Sequence, residues 1–109
     1  MPVTVAQILK LESLTQARIL AGREGLARTV SSVTVGEVPD IAEWLSGGEM
    51  VLSTMFALIN DVGRQREFCQ RIMAAGASAL FVKPKRFVGK FPEDVLQIAD
   101  RRQFPIVEV

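Results

Sequence analysis

The sequence predicts an α/β domain of three layers, a mostly parallel sheet flanked by helices. Three observations predict it. From Val30 onward, strand-like and helix-like segments alternate, the order expected of parallel strands joined by right-handed crossovers. Met50-Val51-Leu52-Ser53 and Ala79-Leu80-Phe81-Val82 are short apolar runs, as strands buried on both faces are. Glycine and proline punctuate the boundaries between these segments.

Taken in order, Thr4 and Gln7 form a capping-box pattern opening a short helix whose stripe is Val5, Ile8 and Leu9, ending near Leu11. Ala17 to Ala21 reads as a strand stopped by Gly22, and Gly22-Arg23-Glu24-Gly25 as a turn. Thr29 to Val35, rich in β-branched residues, reads as a second strand. Pro39 turns Val38 away from the helical region. Asp40 can then cap a helix starting at Ile41, with Ile41, Trp44 and Leu45 on one face and Trp44 in the core. Gly47-Gly48 would close that helix.

After the Met50–Ser53 strand, Asn60 or Asp61 starts a helix running to about Ala75. Phe68, Cys69, Ile72 and Met73 share its apolar face, and Glu67 is spaced to pair with Arg71. Gly76 ends it. The strand Ala79–Val82 follows, then a basic connection from Pro84 to Lys90. Pro92 suits a first helical position, with Glu93-Asp94 at the positive end, Val95, Leu96, Ile98 and Ala99 inward and Arg101-Arg102 at the negative end. Phe104-Pro105 terminates this helix and Ile106 to Val109 begins a last strand.

Composition narrows the function. The chain has 109 residues, 49% of them hydrophobic, and a net charge of +1. That is one domain with enough apolar material for one core. The balanced charge gives no general attraction to phosphate backbones or anionic membranes. Histidine is absent and there is a single cysteine, so a Ser-His or Cys-His pair and a structural zinc site cannot be built. No apolar run approaches the roughly 18 residues of a membrane span. The expectations are a cytoplasmic protein, no cofactor, no metal and no catalysis; composition leaves carboxylate or lysine chemistry open, and a small enzyme using Glu37, Asp40 or Lys83 is a further, minor alternative. The chain stops inside a strand-like run, which suggests a piece of a longer protein.

In open parallel sheets, ligands bind beyond the carboxyl ends of the strands. Those ends here carry Glu37 and Asp40, Ser53 and Thr54, and Lys83. These five residues are the candidate ligand-binding set. Each also has a plainer reading. Capping fully accounts for Asp40, Glu37 can be solvated, Ser53 and Thr54 can satisfy local backbone, and a lysine at a sheet edge is commonly solvated. The Lys83, Lys85, Arg86, Lys90 cluster reads as a solvated loop rather than a nucleic-acid surface. Cys69 reads as a packed small hydrophobe. The glycines match no dinucleotide or phosphate-binding motif.

The chain resembles the N-terminal domain of PucR-type transcriptional regulators, the purine-catabolism regulator family. The resemblance is carried by Thr4 to Leu9, by Ile19 to Gly22 with Gly25-Leu26 and Arg28, and by Val33 to Val35 with Glu37, Pro39 to Ile41 and Trp44-Leu45. Gly47 to Thr54 is its most specific part. Gly76 to Leu80, Pro92 to Asp94, Ala99-Asp100 and Phe104 to Glu108 complete it. The resemblance implies a regulatory, effector-sensing domain, residues 1–109, of a bacterial transcription factor. Its DNA-binding helix-turn-helix would lie in a C-terminal part outside this chain, so this piece should not itself bind DNA. The expected partners are a small-molecule effector, the rest of the regulator chain and a second copy in a homodimer. The alternative is an interaction or dimerisation module with no small ligand. One departure stands out: the family often has glycine after the two residues matching Ser53-Thr54, where this chain has Met55-Phe56. A methionine there is expected to fill space beside the site.

Overall fold

The computed structural model describes residues 3–11, 14–37, 40–55, 61–83 and 91–109. Seven strands and three α-helices are assigned among them: β1 (Val3–Thr4), α1 (Val5–Ile8), β2 (Arg18–Ala21), β3 (Thr29–Val30), β4 (Ser32–Val35), β5 (Glu49–Ser53), α2 (Val62–Ala74), β6 (Ala79–Val82), α3 (Glu93–Arg101) and β7 (Ile106–Glu108). The main sheet has the order β2-β7-β6-β5-β4. β4, β5, β6 and β7 run parallel, and β2 joins β7 antiparallel at the far edge. The predicted α/β class with a mostly parallel sheet is what forms.

Both crossover helices pack on one face, as connections of one hand stepping in one direction require. Phe68, Cys69, Ile72 and Met73 of α2 and Val95 and Ala99 of α3 bury against Val51, Leu80, Val82 and Ile106. The opposite face is covered by the N-terminal segment, with Val5, Ile8, Leu9, Leu14, Leu26 and Val30 packed on Met50, Phe81 and Val107. All four residues of β6 are buried, which explains its unbroken apolar sequence.

Local chemistry accounts for the helices. Thr4 and Gln7 form the expected reciprocal capping box. Asp61 caps α2 by accepting from the Arg64 N–H at 3.0 Å, and Glu67 pairs with Arg71 at 3.0 Å. Arg66 reaches Asp94 and ties α2 to the start of α3; its hydrogen bond holds the Asp94 carboxyl below the usual carboxylate value. Cys69 is a packed hydrophobe, and burial pushes its thiol up to about 12.

Several expectations are corrected. α1 is shorter than predicted, with Leu9 as its C-cap. Pro92 stands just before the first helical residue of α3. The β-branched run Thr29–Val35 is two strands. β3 pairs antiparallel with β1 in a separate ribbon, while β4 joins the main sheet. Between them Ser31 donates its N–H to the Gly48 carbonyl and its hydroxyl to the Gly47 carbonyl.

The helix expected from Ile41 is a single 3-10 turn, Ile41–Trp44, and Asp40 makes no side-chain cap. Leu45 is already extended, and the buried carboxylate of Glu49 takes the N–H groups of Ser46 and Gly47 at 2.6 and 2.9 Å. Those bonds draw the chain toward β5 and leave no room for a second turn. Gly47-Gly48 therefore closes no helix; Gly48 instead donates to the Gly76 carbonyl at 2.7 Å. Trp44, expected in the core, is 76% exposed, because only Ile41, Ala42 and Leu45 of this turn pack on the core. Asn60, Val38, Pro39 and the basic connection with Lys85, Arg86 and Lys90 lie outside the described residues.

A candidate cleft at the strand ends

Three parallel strands, β4, β5 and β6, end side by side, in register from Val35 to Leu52 and from Ser53 to Val82. Their C-terminal loops therefore share one rim. Gly36 follows β4 where a side chain has no room: a Cβ there would lie 2.8 Å from Val51 and 3.3 Å from Ile41. That tight passage sets the backbone that presents Glu37.

Glu37 bends over the end of β5. Its carboxylate accepts from the Thr54 N–H at 3.0 and 3.2 Å, from the Thr54 hydroxyl at 2.9 Å and from the Ser53 hydroxyl at 3.3 Å. The Ser53 hydroxyl in turn accepts from the Met55 N–H at 2.9 Å. Charge-assisted bonds of this kind are stronger than neutral ones, so Glu37 is a fixed part of the rim. Lys83 leaves the end of β6, its N–H donating to the Ser53 carbonyl. Its side chain makes no ion pair among the described residues.

These groups surround a cleft of about 220 Å³ lined by Val35, Glu37, Leu52, Ser53, Thr54, Phe81, Lys83 and Val109. It lies on the face carrying Leu52, Phe81 and Val109, beyond the cover that the N-terminal segment provides. Its floor is apolar, with a cation on one side and a hydrogen-bonded carboxylate on the other. The volume is below the roughly 300–1,000 Å³ of drug-sized sites, so it suits a small ligand.

Four of the five candidate residues thus meet in one place, and Asp40 does not. Asp40 is exposed at the start of the 3-10 turn and lines no part of the cleft. Sequence reasoning missed Val35, Leu52, Phe81 and Val109. Their period-two spacing with Val33, Met50 and Val107 was a signal, but the face they share depends on the register between strands.

Met55 also departs from expectation. It does not line the cleft; its side chain is 1% exposed in the core on the α2–α3 face. Its backbone has φ 59°, the left-handed conformation that glycine adopts without strain. The methionine occupies a glycine-type turn and turns inward, so cleft space is unaffected. Among the described residues no group of three or more His, Cys, Asp or Glu could hold a metal ion. No helix among them is long and apolar enough to cross a membrane.

The architecture is that of a small α/β domain with a polar-rimmed cleft at its strand ends. The model of the purine catabolism regulatory protein-like family matches residues 7–109, and the chain belongs to that family. It is 26% identical over 107 residues, 98% of its length, to the purine catabolism regulatory protein of Bacillus subtilis (strain 168). The chain spans 20% of that relative's length.

Proposed function

We propose that this domain senses a small effector in the strand-end cleft and passes the signal to a further, DNA-binding part of a regulator, with no catalysis of its own. The observation that carries this reading is the meeting of Glu37, Ser53, Thr54 and Lys83 with Val109 around one cleft. Val109 lines the cleft and also extends the β6–β7 ladder through its N–H bond to the Val82 carbonyl at 2.9 Å. A ligand on Val109 would therefore touch the strand from which a longer chain would continue.

The chemistry of the cleft restricts the effector. The carboxylate oxygens of Glu37 already accept hydrogen bonds from Ser53 and Thr54, whereas Lys83 has donors to spare. A small, flat molecule with carbonyl or anionic edges fits, its face on Leu52 and Phe81 and its acceptor edge on Lys83. Intermediates of purine breakdown have this character, and the relative's name points the same way. Signalling follows by population shift, to the extent that the effector binds one arrangement of the rim better than another.

Calorimetric titration of purine-pathway metabolites into the 109-residue chain tests the reading. A saturable heat from one or more of them is expected, weakened at least about tenfold by Lys83→Met. Flat heats across the series, with folded protein, would reject it.

A further inference from the structure

The large hydrophobic side chains most exposed among the described residues are Val3, Leu11, Val33, Val35, Trp44 and Val62. Three of them lie on β4 and the turn that follows it: Val33 at 55%, Val35 at 66% and Trp44 at 76% exposure. Among the described residues β4 is the end strand of the main sheet and pairs only with β5. Backbone groups alternate sides along a strand. The Gly36 N–H donates inward to the Leu52 carbonyl at 2.7 Å, so the N–H and C=O of Val35, and of Val33 two residues earlier, point off the edge. Edges are normally blunted by charge, proline, bulges or a cover. Ser32-Val33-Thr34-Val35 has no charge and no proline, and its register with β5 is unbroken.

We propose that β4 pairs antiparallel with β4 of a second copy, about a two-fold axis beside Thr34. Three considerations select a second copy as the occupant. The edge is self-complementary: with the axis at Thr34, Val33 faces Val35 of the partner subunit, and each such pair exchanges both outward N–H and C=O groups. Valines then meet valines on one face of a continuous sheet. Charge also permits it, since the strand is neutral and each chain carries only +1. Finally, a stable interface buries about 1,200 Å² or more, which a four-residue strand does not reach by itself. The exposed Trp44 is further apolar surface on the turn that follows β4, whose Ile41 approaches Gly36 from the other face of the sheet. Pairing requires no ligand, although Val35 belongs to both the edge and the cleft.

Sedimentation of the 109-residue chain, in a concentration series reaching about 1 mM, should show the monomer mass giving way to twice that mass. Val35→Lys, or Val33→Lys as a second variant, should weaken association by at least about tenfold. Thr34→Cys is the sharper test. The two Thr34 positions would form a non-hydrogen-bonded antiparallel pair with Cα atoms about 4.5 Å apart, within disulfide range. Mild oxidation should give a covalent dimer of this variant and none of the wild type, whose Cys69 is buried. A monomer at every concentration overturns the proposal. So does a dimer unchanged by both lysine variants, or a Thr34→Cys protein that is folded by circular dichroism and does not cross-link.

Discussion

The two edges of the main sheet are built differently. At β2, the strand runs antiparallel to β7, its register shifts between Ile19 and Ala21, and Arg18 reaches Glu108 at 3.9 Å. Beyond it, the Gly22 N–H donates to Asp100 at 2.7 Å. Arg28 then clamps the carbonyls of Ala77, Arg102 and Gln103 at 2.8–3.3 Å and lies over the Phe104 ring. A bulge and a charge blunt that edge, and the side-chain clamp fixes the loop that leaves it. At β4 none of these devices is present among the described residues, and Val33 and Val35 are exposed. One edge of the sheet is thus blunted by its own sequence and register, while the other keeps a flat, uncharged strand.

This contrast predicts that substitutions near β2 cost folding stability, whereas substitutions on β4 cost association. The largest effect is expected at Gly22, which has φ +77°; a Cβ there would fall 2.0 Å from the Phe104 carbonyl oxygen. Gly22→Ala should lose upward of about 3 kcal/mol, read as a large drop in thermal midpoint. A melt within a degree or two of wild type would break the claim that β2 is locked at this point.

Arg28→Met keeps the apolar stem and removes the clamp on three carbonyls. A loss of about 2 kcal/mol is expected, seen as a lower urea midpoint with unchanged slope. Met55→Gly sits between the two edges and sets opposing effects against each other. Glycine relieves about 1–2 kcal/mol of left-handed strain, but removing a buried methionine costs about 2–5 kcal/mol. Packing wins, and a net loss of about 1–3 kcal/mol is expected; a stabilised variant would show that backbone strain at this turn outweighs the packing of the side chain. The smallest effect belongs to Val35→Lys, which should leave monomer stability within about 0.5 kcal/mol. If it unfolded the monomer, β4 would be part of the core and the contrast would fail.

Much of the parallel architecture was legible because its signals are local. β6 reads as buried from four consecutive apolar residues, and α2 from a cap at Asp61, a stripe at Phe68, Cys69, Ile72 and Met73, and a pair at Glu67 and Arg71. The gathering of Glu37, Ser53, Thr54 and Lys83 was legible for a related reason, since parallel strands deliver their ends to one rim. Asp40 stands apart from the cleft, and the cap expected of it failed because it assumed a helix. What stopped that helix was Glu49, a buried carboxylate several residues downstream that binds Ser46 and Gly47.

Periodicity, punctuation and caps, all properties of neighbours along the chain, determined the strand–helix alternation, the parallel direction and the polar rim. Tertiary structure alone decided that Thr29–Val35 divides between two sheets, that Trp44 faces water and that Met55 turns inward. It alone also decided which face holds the cleft floor of Leu52, Phe81 and Val109. The physical reason is common to them all. Each outcome is set by how a segment meets the packed sheet; for the divided strand and the cleft floor a one-residue shift in register would move every side chain to the opposite face.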